Sequence, residues 1–285
     1  MPSSTLVLHQ KERQMKQPMG PPAGGGDGRT LSAEKIVHEP RRAPAAPRGM
    51  FYVGSAVVLL LLVLLGFAPT FYLRAASAPE LSWRVLVHGL ILTAWFLTFA
   101  LQAALVAGRR TDLHRALGWA GGAIGLAVII SGGMATPYWV AEIAAQGRLE
   151  AVLPTVRIIA WSNTASIVAF AILLVAAIVL RRRPDAHKRL MLLASISIIQ
   201  PALARIFRWP VFEAPGMEGV WLAVAASFVL AGMVVGYDLL SRKSSHPATV
   251  AGAALFVGLK LGGVLLLAPS ALGPWLVRAM LGVVS

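Results

Sequence analysis

The chain has 285 residues, of which 57% are hydrophobic and only 13% charged, with a formal net charge of +14. So little charge cannot coat a soluble globule of this size, and the lack of cysteine excludes disulfides, thiolate metal sites, iron–sulfur clusters and thioether-attached haem. A charge of +14 would suggest nucleic acid in a soluble protein. Here topology signals and anionic phospholipid headgroups account for it, and no basic helix interleaved with stacking aromatics is present.

Residues 1–49 hold seven of the 18 prolines, a GPPAGGGDG run and scattered charge, with no apolar periodicity. Such a segment buries too little to offset its ordering entropy and reads as a disordered, basic, cytoplasmic tail. It lacks the early apolar stretch of a cleaved signal peptide. Residues 50–285 read as a polytopic helical domain with seven apolar spans, at 50–73, 83–107, 115–138, 156–180, 187–207, 219–240 and 249–269. Each approaches or exceeds the roughly 20 residues that cross the hydrocarbon core as a helix. The fold class is therefore an all-α integral membrane protein. The tail ALGPWLVRAMLGVVS is too short to span and lies in the interface or extends the last helix.

Orientation follows from counting Lys and Arg. The N-terminal segment and the connections after spans two, four and six hold 18 of them, and the alternate connections with the tail hold seven. The N-terminus is expected in the cytoplasm and the C-terminus outside. Trp83, Trp139, Trp161, Trp209, Trp221 and Trp275 gather near the outer side, as interfacial anchors do.

One pattern occurs twice. RRTDLHRAL, starting at Arg109, returns 73 residues later as RRPDAHKRL, starting at Arg182. Spans two–three and four–five thus read as two parallel repeated hairpins, each turning at the cytoplasmic face. The arginine pairs hold the turns and reach lipid phosphates. Asp112 and Asp185 stand where a helix N-cap belongs, and Pro184 ends the preceding structure. His114 and His187 fall in the first turn, where the helix dipole disfavours imidazolium. Two readings follow. Either these are capped turns with interfacial histidines, or His114 and His187 are axial ligands of a b-type haem whose propionates meet the nearby arginines. No further ligand type nearby suggests another metal.

Polar residues within the spans point to a second region, because lipid makes them costly. His88 opens span two. Arg157, Trp161 and Asn163 open span four, and Gln200, Arg205 and Arg208 close span five, all in the outer third. Pro201 should loosen the backbone beside Gln200. A basic outer pocket suited to an anionic or quinone-like headgroup is one reading. Snorkelling arginines and a His88 bonded to a neighbouring helix is the other. Lys260 lies near the middle of span seven. A retinal Schiff base there would need a mid-depth carboxylate, and no span offers one, so its amine is expected to bond carbonyls or reach a wet cavity. The acidic residues fall almost wholly in loops, which argues against a carboxylate-driven proton pump, and Glu142 is the exception to watch. No hydrolase triad, P-loop, dinucleotide fingerprint or HExxH is present.

HGLILTAWFLTFALQAALVAGRRTDLHRALG, LPTVRIIAW and HKRLMLLASISIIQPALARI, in this order, resemble a family of bacterial multi-pass inner-membrane proteins of uncharacterised activity, over residues 50–240. The resemblance implies an integral inner-membrane fold and carries no activity with it. More loosely, histidines on neighbouring spans are similar to those of transmembrane cytochrome b ascorbate and ferric reductases. That likeness implies histidine pairs holding haem on each side, where this chain offers His114 and His187 on one side and His88 alone on the other. The functional expectation is a membrane redox protein holding haem or quinone around a basic outer pocket. The alternatives are a transporter or lipid- and anion-binding protein, and an assembly or scaffold subunit.

Overall fold

The computed structural model describes residues 49–212 and 216–284, and the expected tail, apart from Gly49, lies outside them. Among the described residues six helices are long and apolar enough to cross a membrane, or seven if one bent pair counts as a single span. This bears out a multi-pass helical membrane protein.

The helices are α1 (Met50–Phe67), α2 (Trp83–Ala107), α3 (Thr111–Ala145), α4 (Leu149–Val179), α5 (Pro184–Ser197), α6 (Gln200–Ile206), α7 (Met217–Arg242), α8 (Pro247–Leu261) and α9 (Leu272–Val284). Although α1 is apolar all round, it buries only one stripe: Tyr52, Ala56, Leu59, Val63 and Gly66. Its other faces leave Val58, Leu61 and Leu65 half exposed. An apolar helix with a helical burial period and an uncovered remainder is suited to lipid on one side and protein on the other. The core is aromatic and branched, with Trp95, Phe96, Phe170, Leu192, Leu193, Ile199 and Phe256 packed together from α2, α4, α5, α8 and the α5–α6 link.

Two spans leave ordinary helical winding at one end. α1 continues as a wide turn over Ala68–Tyr72, where the Leu73 N–H donates to the Ala68 carbonyl at 2.7 Å. Pro69 supplies no N–H for the narrower ladder, so the turn widens. α8 continues likewise over Gly262–Leu267, with the Ala268 N–H on the Gly263 carbonyl at 2.9 Å. The expected fifth span is divided: α5 and α6 meet at a bend of 47°. Pro201 cannot donate to the Ser197 carbonyl, and its ring excludes that carbonyl from the helical position. The loosening expected beside Gln200 therefore becomes a break over Ile198–Ile199.

Other boundaries differ from the sequence expectation. α3 and α4 start at Thr111 and Leu149, earlier than 115 and 156, because helical winding runs past the apolar stretch into polar flanks. Asp112 and Asp185 are not caps. They lie in the first turns, behind Arg110 and Arg183, and neither of those cap positions makes a side-chain bond to the helix start. Pro184 begins α5 instead of ending the preceding structure; its fixed φ and missing N–H suit the first helical position. An aspartate within that turn still meets the positive end of the helix dipole. The tail forms its own helix, α9, which packs Val277 and Met280 against Val140 of α3 and Val156 and Ala160 of α4.

Candidate functional site

Lys260, in the last turn of α8, is 1% exposed. Its Nζ donates to the Ser162 carbonyl at 2.9 Å, to Ser162 Oγ at 3.0 Å, to Ser166 Oγ at 2.5 Å and to Gln200 Oε1 at 2.5 Å. Ser162 Oγ also donates to Gln200 Oε1, at 2.9 Å. The amine thus meets a carbonyl, as its sequence position suggested, together with two hydroxyls and an amide, and no carboxylate is among these partners.

Local structure makes this cage. Ser162 and Ser166 are four residues apart and share one face of α4. Gln200 is the first residue of α6, turned toward them by the bend. On the other side of the break Ser197 Oγ donates to the Ala194 carbonyl at 2.7 Å and Ser195 Oγ to the Met191 carbonyl at 3.1 Å, while Trp95 Nε1 donates to Ser195 Oγ at 3.3 Å. The Ser197 hydroxyl satisfies a carbonyl that the ending helix strands, and the Ser195 hydroxyl bonds back to its own helix. α8 approaches α4 closely just beyond Lys260, where a Cβ on Gly263 would lie 3.3 Å from the Trp161 carbonyl.

The residues expected in an outer pocket divide among several surroundings. Gln200 belongs to the Lys260 cage. His88 Nδ1 lies 3.2 Å from Ser131 Oγ, and Asn163 Nδ2 donates to Thr136 Oγ1 at 3.1 Å, so both reach α3. Arg205 donates to the Pro201 carbonyl at 3.0 Å and lays its guanidinium 4.2 Å over the Phe67 ring, and Arg208 is exposed. Arg157 Nε and Trp161 Nε1 are buried without a hydrogen-bond partner among the described residues. Arg157 lies beside Gly273 at the start of α9. Glu142 lines a cavity of about 380 Å³ with Trp139, Gln146 and Arg148.

At the other end of the bundle both motif copies run from a turn into a helix start, and their histidines meet. The His114 and His187 ring centroids are 6.2 Å apart with planes at 80°. His187 Nδ1 is 2.9 Å from the Ala177 carbonyl. A carbonyl only accepts, so Nδ1 carries a proton, and in the neutral ring Nε2 then carries the lone pair. His114 Nδ1 is buried without a partner, as are both side-chain polar atoms of Gln102.

Beside them Arg189 and Asp238, 2% and 0% exposed, form an ion pair at 2.5 Å. Arg189 also donates to the Asp185 carbonyl at 2.7 Å, while Asp238 Oδ2 accepts from Thr249 Oγ1 at 2.5 Å and from the His246 N–H at 3.1 Å. α5, α7 and the start of α8 are tied here by one carboxylate. Burial, then the charges of Arg189 and Arg242, push the His246 imidazole below its ordinary pKa.

The sequence marked Lys260 and Gln200 separately and left Ser162, Ser166, Arg189, Asp238 and Gln102 unmarked. Serines in an apolar helix carry no signal, since each can bond its own backbone. No family model, no curated protein and no solved structure matches the chain, so the functional reading rests on the chemistry of its own residues.

Proposed function

We propose that the chain is a membrane transport or solute-binding protein for a small anion, centred on Lys260. One observation carries this reading: a fully buried lysine held by neutral oxygens, beside the break in one apolar span and at the point where its own span changes winding. A lysine at the centre of a span costs about 3 kcal/mol even on insertion scales, and intramembrane cations of this kind mark solute paths. Broken helices at mid-depth build the binding sites of many secondary transporters. An entering anion would meet the Lys260 amine, two hydroxyls and an amide. A cation would meet no carboxylate there. Arg205 and Arg208 stand on and just after α6, the helix that begins with Gln200, so positive charge leads toward the cage and would steer anions.

The arginine-rich turns suit anionic phospholipids, and the Lys/Arg bias favours an inner-membrane protein with a cytoplasmic N-terminus. A redox role would rest on His114 and His187 instead, and a scaffold would bind no solute at all.

The test is thermal unfolding of the detergent-purified full chain across sodium salts of chloride, nitrate, acetate, lactate, sulfate and phosphate at matched ionic strength. At 100-fold over Kd a ligand adds about 2.7 kcal/mol, a rise of roughly 5–10 °C in Tm. At least one anion is expected to give such a rise in the wild type and none in Lys260→Met, and the same anion should cross reconstituted vesicles. Lys260→Met should itself fold, with an unliganded Tm no lower than that of the wild type, because it removes a buried charge and leaves Ser162 bonded to Gln200. No shift with any anion, or an equal shift in Lys260→Met, overturns the reading.

A further inference from the structure

We propose that His114 and His187 are the paired ligands of one transition-metal centre, held as a bare ion or as the iron of a haem. The inference is independent of the Lys260 site. Identical positions of the two motif copies, 73 residues apart in sequence, are brought ring to ring at 6.2 Å. Helix starts and lipid-facing arginines require no such meeting. Metal–nitrogen bonds are about 2 Å, so two imidazoles facing each other across one metal place their centroids roughly 6 Å apart, and a tetrahedral pair would come closer, to roughly 5 Å. The observed spacing fits ligands on opposite sides of a metal; it is also that of an edge-to-face ring contact, and metal content separates the two. Among the described residues no three His, Asp or Glu side chains cluster as a metal cage. Two opposed imidazoles are what an axial pair or a linear ion uses, and imidazole suits iron, copper and zinc.

The surrounding bonds point the same way. The hydrogen bond from His187 Nδ1 to the Ala177 carbonyl is the outer support that orients a metal-bound histidine and leaves Nε2 free to coordinate. The His114 ring has a backbone hydrogen bond to the Gln102 carbonyl, while its Nδ1 and the side-chain amide oxygen and nitrogen of Gln102 are buried with no partner among the described residues. Desolvated polar atoms left unpaired are costly. A bound group between the rings would give His114 and Gln102 something to meet.

The experiment uses the full chain, purified through a non-histidine tag from cells supplied with haem, copper and zinc. Elemental analysis and oxidised and dithionite-reduced absorption spectra are recorded for wild type, His114→Gln, His187→Asn and His246→Asn. Asparagine at 187 keeps a donor for the Ala177 carbonyl while removing the ligand. One equivalent of metal is expected per chain, falling at least ten-fold in the first two variants and retained in His246→Asn. A Soret band that shifts on reduction identifies haem, and stoichiometric metal without it identifies a bare ion. If a variant does not fold, diethyl pyrocarbonate labelling of the wild type decides: bound metal should protect His114 and His187 and leave His246 reactive. No stoichiometric metal or haem, metal that survives both variants, or equal labelling with and without metal overturns the proposal.

Discussion

His246 closes the start of α8 by accepting the Ala248 N–H on Nδ1, at 3.1 Å, a bond that requires a neutral imidazole. Burial and two neighbouring arginines hold its pKa below the ordinary value. In the unfolded chain it titrates near 6.5. Below that pH the unfolded state takes up a proton that the folded state resists, so stability falls with falling pH until the folded pKa is passed. His246→Asn keeps a capping acceptor and loses the titration. The difference in Tm between wild type and this variant should narrow or reverse from pH 7.5 to pH 5, with the wild type losing more. Parallel curves would show that His246 is not coupled to folding. At this scale the sequence was informative where a residue is costly in lipid, as for Lys260 and Gln200. It was silent where a residue is inexpensive, as for Ser162 and Ser166, whose roles appear only once α8 lies against α4.

The elements show why the break in the fifth span was half legible. Pro201 announces that the ladder must fail at Ser197, because that follows from covalent structure. The 47° bend is set by what α6 packs against. Gly66 of α1 is that surface: a Cβ there would come within 2.5 Å of the Ala202 carbonyl oxygen and 2.9 Å of its Cα. Backbone cannot yield as a side-chain tip can. Gly66→Ala should therefore lower stability by about 1–3 kcal/mol, as overpacking does. Gly54→Ala, on the same helix with nothing within 4 Å of the added Cβ, should leave Tm unchanged or slightly raised through better helix propensity. Equal Tm values for the two variants would mean that α1 and α6 are not in contact at Gly66.

Across the whole molecule one carboxylate joins α5, α7 and α8 at the end that carries the arginine turns. Asp238→Ala would leave the buried Arg189 guanidinium with only the exposed Asp185 carboxylate, 3.3 Å away, as counter-charge, and free Thr249 Oγ1 and the His246 N–H. Loss of one partner of a buried pair costs about 3–5 kcal/mol. A drop of that size in denaturant titration is expected, with Arg189→Leu combined with Asp238→Ala recovering much of it. A single-variant loss below 1 kcal/mol would show the pair to be solvated. The sequence by itself determined the membrane class, the number of apolar spans to within the bent pair, and the loosened backbone at Pro201, because hydropathy, length and missing N–H groups are local properties. Tertiary structure alone decided that Ser162, Ser166, Gln200 and Lys260 share one cage, that Arg189 finds Asp238, and that the two copies of the histidine motif face each other. Those meetings depend on how helices distant in sequence are oriented against one another, and a helix that is apolar all round does not encode in its own pattern which face turns inward.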